Sequence, residues 1–150
     1  MKIEEKINES IKDSMKKKDN LRLDSLRAIK SAILIEKTKS GSKDHIDELI
    51  VLKILQKMVK QRNESAKIYI EQNRNELAEV ELSQANIISE FLPAQLSESD
   101  LSEMIDKVIE EVGAKSMKDM GKVISKVNEK ASGQAEGRVI AEIVKKKLIG

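Results

Sequence analysis

The side chains of this sequence that are able to do chemistry are chiefly lysines at helical spacing. The most regular set consists of Lys115, Lys118, Lys122 and Lys126, with Lys130 further along. Residues three and four apart share one face of an α-helix, so these side chains form a line of positive charge. Asp119 and Glu129 interrupt the line. It is either a surface that contacts phosphates by charge attraction or simply a solvated outer face, and the residues alone leave both possibilities open.

Catalytic groups are scarce in the rest of the chain. His45 is the sole histidine and there is no cysteine, which excludes a two-histidine metal site in one copy and a thiolate nucleophile. No nucleophile-elbow pattern accompanies His45, and Gly121-Lys122 lacks the spacing of a phosphate-binding loop. We therefore expect His45 to be a solvated surface residue, and we expect no catalytic residue, metal, cofactor or small-molecule substrate.

Composition predicts an all-α protein with an aliphatic core. Tyr69 and Phe91 are the only aromatic residues among 150, and 36% of the chain is charged with both signs interspersed. This pattern is typical of amphipathic helices with solvated outer faces. No apolar run approaches the length of a membrane span, and the first residues are too polar for a signal peptide. These features predict a soluble, cytoplasmic protein without a membrane partner.

A single proline divides the chain. Pro93 disfavours helical geometry in the residue before it, so a helix should stop at Leu92, and Ser97 can cap the next helix. We expect a domain of about four helices over 1–92 and a small three-helix domain over 93–150. The first part carries 18 basic and 16 acidic residues and the second ten of each. This balance allows nucleic-acid binding without demanding it.

Apolar periodicity and one glycine predict the first three helices of the N-terminal part. The first helix is predicted to bury a stripe of residues four apart, namely Ile3, Ile7, Ile11 and Met15. Gly41 should end the second helix within a loop over 39–43, and the third helix should begin near Asp44.

Arg62 falls inside the apolar arc of that third helix. A buried guanidinium needs a partner, so we expect a carboxylate from a neighbouring helix, with Glu81 or Gln84 within reach.

Two further expectations concern packing and turns. The fourth helix should run from Asn75 to Leu92 and bury Val80 among its apolar residues. Gly121 lies at the edge of an apolar arc and should let a neighbouring helix come close. Gly133 and Gly137 should form a turn with special backbone angles.

Four stretches of this sequence together resemble the stand-alone YqeY family, whose C-terminal part is similar to the tail domain of the GatB subunit of tRNA-dependent amidotransferases. They are Leu23-Asp24-Ser25-Leu26-Arg27-Ala28-Ile29-Lys30; Lys60-Gln61-Arg62-Asn63-Glu64-Ser65, followed by Arg74 and Leu77; Phe91-Leu92-Pro93-Ala94-Gln95-Leu96-Ser97; and Asp119-Met120-Gly121-Lys122-Val123 with Gly133-Gln134-Ala135-Glu136-Gly137. None of these stretches is a catalytic signature. The family more often has tyrosine in place of Phe91, and often has arginine and aspartate in place of Gln134 and Glu136.

The resemblance implies a helical N-terminal domain followed by a three-helix domain that looks like a tRNA-contacting module. In amidotransferases, ammonia production and transfer lie outside that tail. This chain lacks the amidotransferase core, so the resemblance implies no autonomous catalysis. The candidate RNA-binding residues are Lys115, Lys118, Lys122, Lys126, Lys130 and Arg138.

Two other functions stay open. One is a protein-interaction adaptor that docks a partner through the lysines of its third helix, which are Lys53, Lys57, Lys60 and Lys67. It also fits an accessory to a glutamine-dependent amidotransferase that acts only in complex.

Overall fold

The computed structural model describes residues 2–41 and 45–149, and within these ranges it contains seven α-helices and no strand. The helices are α1 (Ile3–Lys17), α2 (Asn20–Ser40), α3 (Glu48–Glu71), α4 (Asn75–Ser89), α5 (Glu98–Val112), α6 (Met120–Ala131) and α7 (Gly137–Ile149). A short 3₁₀ helix, Met117–Asp119, leads directly into α6. The all-α prediction is confirmed. Ser42 and Lys43 of the predicted loop, and Asp44 at the predicted start of the third helix, lie outside the described residues.

The chain divides into two compact units, Met1–Leu92 and Pro93–Gly150. The first contains α1 to α4 and the second contains α5 to α7 with the 3₁₀ helix. Each unit has its own aliphatic core. Whether each unit folds alone as a domain stays a prediction.

The core of the first unit lies around α2, which packs against α1, α3 and α4. Its buried members are Ile3, Ile7, Leu26, Ile29, Ile33, Val51, Leu55, Met58 and Ile88. Phe91 and Leu92 pack against it from the end of the unit. Further along, α3 and α4 form a helical hairpin that buries the alanines Ala66, Ala78 and Ala85, whose small side chains allow a close approach of the two helices.

The predicted stripe on α1 is wrong at its last position. Met15 is 54% exposed, and Ser14 is buried in its place. A strict four-residue spacing advances 400° per step, so the stripe rotates about 40° each time and leaves the core after three steps. Eleven residues after Ile3, Ser14 returns to the same side of the helix.

The environment of Arg62 is also different from the expectation. Its Nε donates to Gln84 Oε1 at 3.1 Å and its Nη1 donates to the carbonyl of Met58 at 3.4 Å. The predicted neighbour Gln84 is correct, but an amide rather than a carboxylate meets the guanidinium. Arg62 is only half-buried, so water can solvate part of its charge and a counter-ion is not required.

Helix α4 is shorter and less buried than predicted. It ends at Ser89, and three tight backbone turns carry the chain through Glu90, Phe91 and Leu92. Val80 is 46% exposed, because the partner helix covers the alanine side of α4.

In the second unit, three helices surround an aliphatic core. Its buried members are Leu101, Ile105, Val108, Val123, Val127, Ala131, Ile140, Val144 and Leu148. Ser97 caps α5 as predicted, its Oγ accepting the Asp100 amide at 3.0 Å. Gly121 does not mark a close helix approach, since a Cβ placed there would meet no atom within 4 Å. Across the described residues, none of the helices has the length and apolar content needed to cross a membrane.

Candidate nucleic-acid interface

Helix α6 carries Lys122, Lys126 and Lys130 of the predicted basic line, whereas Lys115 precedes the 3₁₀ helix and is not helical. Val123 and Val127 turn inward and are fully buried, whereas Lys122 and Lys126 are exposed. Lys118 lies in the preceding 3₁₀ helix and is also exposed. Lys118, Lys122 and Lys126 form no ion pair with any described residue. Amphipathicity therefore produces this surface, because burying the valine face leaves the lysines in solvent.

A capping arrangement fixes the start of this surface. Ser116 Oγ accepts the amide of Lys118 at 3.4 Å, and Asp119 Oδ2 accepts the amide of Lys115 at 3.0 Å. The carboxylate of Asp119 keeps its negative charge and so interrupts the positive line. It also accepts a backbone N–H beside the start of the 3₁₀ helix, where a negative charge is favourable. The hydrogen bonds of Ser116 and Asp119 therefore fix the backbone that carries Lys115 and Lys118.

Lys130 does not belong to the unpaired lysines. Its Nζ contacts both carboxylate oxygens of Glu111 on α5, at 3.0 and 2.9 Å. The hydrogen bond from Lys130 and its positive charge hold the pKa of Glu111 below the usual range. The predicted RNA-binding role of Lys130 is therefore weakened by geometry, since its charge already has a partner on the neighbouring helix.

One of the positive charges near the Glu111 carboxylate, Lys107, is not among the RNA-binding residues predicted from the sequence. Lys126 and Lys107 also lower the pKa of Glu111 by charge attraction, although less than Lys130 does. Lys107 lies on α5, four residues before Glu111, and is exposed. The spacing of four was the available signal, because such residues share a helix face. Lys107 on α5 and Lys126 on α6 therefore both place positive charge near the Glu111 carboxylate.

The turn between α6 and α7 is bound to the segment after Pro93. The Leu96 amide donates to the Gln134 carbonyl at 2.8 Å, and Gln95 Nε2 donates to the Gly133 carbonyl at 2.8 Å. Gln134 Nε2 in turn donates to the Ala94 carbonyl at 3.3 Å. The structure thus joins two of the four stretches that carry the family resemblance. We call these bonds the 94–134 clasp.

The two glycines of this turn differ. Gly133 has a φ of +79°, as predicted for a turn glycine, whereas Gly137 is the first residue of α7. Arg138 follows it on α7, is exposed, and makes no ion pair with a described residue. Its side chain is thus available for a partner.

His45 and the carboxylates are the remaining candidates of the sequence analysis. His45 is exposed and its Nε2 lies 3.5 Å from Asp47 Oδ1, as expected for a solvated surface residue. Among the residues that the structure describes, no group of three histidines or carboxylates is arranged to hold a metal ion.

Comparison with known proteins finds relatives named "Altered inheritance of mitochondria protein 41, mitochondrial". The protein from Clavispora lusitaniae is 27% identical over 79% of this chain and 70% of its own length. The protein from Meyerozyma guilliermondii is 36% identical over 57% of this chain and 44% of its own length. The protein from Candida glabrata is 30% identical over 57% of this chain and 47% of its own length. This chain therefore spans less than half of the last two relatives.

These names contradict the predicted cytoplasmic location. The relatives are named as mitochondrial proteins. The prediction depended on the absence of a long apolar run and on first residues too polar for a signal peptide. These features do not distinguish one compartment from another.

The family itself is established by a match over nearly the whole sequence. The profile described as Yqey-like protein covers residues 4–148. This range includes both compact units and all four stretches on which the resemblance was based. The resemblance is confirmed, and the chain belongs to the YqeY family.

Proposed function

We propose that this protein is a non-catalytic, tRNA-associated helical protein whose second unit contacts RNA phosphates. Lys118, Lys122 and Lys126 would make the contacts, with Lys115 and Arg138 at the margins. The single observation that carries the proposal is the state of these side chains. They are exposed, and none of them forms an ion pair with a described carboxylate.

The contrast with other lysines of the same unit supports the choice. Lys130 is paired with Glu111, and Lys147 Nζ lies 2.7 Å from Asp106 Oδ1. A lysine already bound to a carboxylate must give up that partner before it can neutralise a phosphate. An unpaired lysine releases only counter-ions from the RNA, which favours binding.

The charge balance limits the expected affinity. The second unit carries ten basic and ten acidic residues, so the attraction is local to the α6 surface. Without a net positive unit, long-range steering of the RNA is weak. We therefore expect modest affinity at low salt and a steep loss as salt rises. With about three phosphate contacts, the binding constant should fall about 20- to 40-fold between 50 and 200 mM salt.

The 94–134 clasp supplies the rigidity that such a surface needs. It fixes the turn that ends α6 against the chain segment that begins the unit. Gln134 takes part through both its backbone and its side chain. In this proposal Gln134 stabilises the turn, and Lys118, Lys122 and Lys126 contact the RNA.

The adaptor function remains the alternative. Lys53, Lys57 and Lys67 on α3 are exposed, so the surface that it requires is present, while Lys60 is half-buried. An accessory role in an amidotransferase complex is supported by the resemblance alone. A salt titration separates the first two functions, because a mainly apolar docking surface depends weakly on salt.

The experiment is a tRNA-binding titration by fluorescence anisotropy at several salt concentrations. The native chain is compared with a triple variant, Lys118→Glu/Lys122→Glu/Lys126→Glu. A matched control, Lys53→Glu/Lys57→Glu/Lys67→Glu, makes the same charge change on α3. Loss of binding in the first variant alone supports the proposal. Equal loss in both would show a general charge effect and would contradict it.

A further inference from the structure

The stretch Leu23–Lys30 is not used by the proposed RNA surface, and in the structure it has two distinct sides. Ser25, Leu26 and Ile29 are fully buried in the first unit. Arg27 and Lys30 are exposed. The buried side is explained by the core of the first unit. The core does not explain the exposed side, which carries Arg27 and Lys30.

A small cleft lies beside this exposed side, between α1 and α2. The two helices are antiparallel, because the two-residue link Lys18–Asp19 reverses the chain. The cleft has a volume of about 100 Å³. Its floor is apolar, formed by Ile7 and Ile33, which are 1% and 4% exposed. Such a space is wide enough for one side chain of another molecule.

One wall of the cleft is apolar and unusually open to solvent. Leu34 lines the cleft and is 62% exposed. An exposed leucine is ordinary by itself, but this one borders a concave apolar floor. A partner side chain that entered the cleft would cover Leu34 as well. The burial of apolar surface would then favour binding.

The rim of the cleft is positively charged. Lys30 and Lys37 line it, and Arg27 lies one turn earlier on the same face of α2. Lys37 is neutralised by Glu4, with Nζ and Oε2 2.8 Å apart. Arg27 and Lys30 form no ion pair with a described residue, and Asp24, three residues before Arg27, does not pair with it. Two uncompensated cations therefore border the apolar wall.

We propose that this cleft docks an acidic amphipathic helix of a partner protein. An apolar side chain of that helix would enter the cleft over Ile7 and Ile33 and cover Leu34. Carboxylates that flank it would pair with Arg27 and Lys30. The inference does not depend on the RNA surface, which belongs to the other unit.

The shape and chemistry of the cleft favour this occupant over other anions. A membrane surface is broad, and it cannot fill a concave space of this size. A phosphate backbone has no group to cover Leu34, and no aromatic side chain lines the cleft for base stacking. A helix with apolar and acidic residues on one side satisfies both the floor and the rim.

The test uses a synthetic amphipathic peptide of about 15 residues, or about four helical turns, with leucines on one face and glutamates beside them. A charge-reversed peptide with lysine at every glutamate position is the control. Binding to the full chain is followed by NMR, which reports amide shifts residue by residue. We expect the glutamate peptide to bind with a Kd below about 1 mM and to shift the amides of α1 and α2 around Leu34. The lysine peptide should produce no such shifts.

Matched variants locate the contact. Leu34→Ser should weaken binding at least about tenfold, because it removes the apolar wall. Ile35→Ser is its control, since Ile35 is 60% exposed but lies about 100° further round the helix. Arg27→Glu/Lys30→Glu should also weaken binding. The α3 double variant Lys53→Glu/Lys57→Glu should leave the affinity unchanged.

Several results would overturn the proposal. It fails if neither peptide shifts the cleft, if both peptides bind equally, or if Leu34→Ser and Ile35→Ser behave alike. Self-association of the chain that Leu34→Ser abolishes would identify a second copy as the occupant. Binding to vesicles of phosphatidylserine and phosphatidylcholine without peptide binding would identify a membrane surface.

Discussion

The backbone amide of Leu96 donates a hydrogen bond to the carbonyl of Gln134, with N and O 2.8 Å apart. The two residues are 38 positions apart in sequence and belong to different stretches of the family pattern. Leu96 precedes α5, and Gln134 lies in the turn between α6 and α7. Together with the side chain of Gln95, this bond closes the second unit on itself.

The first prediction concerns this clasp. Gln95→Ala removes the hydrogen bonds that Nε2 donates to the carbonyls of Pro93 and Gly133. We expect local destabilisation of about 1 kcal/mol, since each exposed bond is worth little by itself. Hydrogen exchange of the Leu96 amide should therefore accelerate about fivefold. Gln61→Ala on α3, an exposed glutamine, is the control, and an unchanged Leu96 rate in Gln95→Ala would refute the role of Gln95.

The second prediction concerns the cap of α5. Ser97→Ala removes the oxygen that accepts the Asp100 amide. The free energy of unfolding should fall by about 1 kcal/mol, as is usual for loss of an N-cap. Urea denaturation measures it, with Ser99→Ala, two residues further on and exposed, as the control. A larger loss in Ser99→Ala than in Ser97→Ala would be incompatible with the cap.

The third prediction concerns the hydroxyl of Ser14, which is buried in α1. Its Oγ forms no hydrogen bond with any described residue. Ser14→Ala should stabilise the chain by about 1 kcal/mol, because alanine removes the unsatisfied hydroxyl and favours helix. Ser25→Ala is the comparison, since buried Ser25 donates to the Leu21 carbonyl at 3.0 Å. That variant should destabilise or be neutral, and thermal unfolding distinguishes the two. Destabilisation by Ser14→Ala would show that its hydroxyl has a partner.

The fourth prediction concerns pH. The hydrogen bond and charge of Lys130 lower the pKa of Glu111 in the folded chain. A carboxylate with a depressed folded-state pKa stabilises the protein above its unfolded pKa, and this contribution disappears as pH falls through the folded-state pKa. Lys130→Met should raise the pKa of Glu111, and Lys126→Met should raise it less.

An NMR titration of the Glu111 carboxyl carbon measures these shifts directly. The stability difference between Lys130→Met and the native chain should be present at neutral pH and should vanish in acid. An equal pKa in the native chain and in Lys130→Met would rule out the ion pair in solution.

Local signals in the sequence predicted much of the fold. The N-cap at Ser97, the end of α2 at Gly41, and the helical periodicity all follow from short-range chemistry. Pro93 likewise separates the two compact units. These features depend on a few neighbouring residues, so the sequence contains what is needed to find them.

The features that the sequence did not predict depend on contacts between distant segments. The exposure of Val80 was decided by which side of α4 the neighbouring helix covers. The pairing of Lys130 with Glu111 and the clasp between Gln95 and Gly133 join different helices or loops. Periodicity shows that a face is polar, but it cannot show which polar side chains have partners. For this reason the candidate RNA surface was predicted, while the status of Lys130 within it was not.

The proposed RNA surface is tested by measuring tRNA binding of the native chain and of Lys118→Glu/Lys122→Glu/Lys126→Glu at 50 mM salt, with far-UV circular dichroism confirming that both proteins are helical. We expect the native chain to bind, its affinity to fall about 20- to 40-fold at 200 mM salt, and the triple variant not to bind. Equal binding by the two proteins, or no binding by the native chain at the low salt concentration, would contradict it.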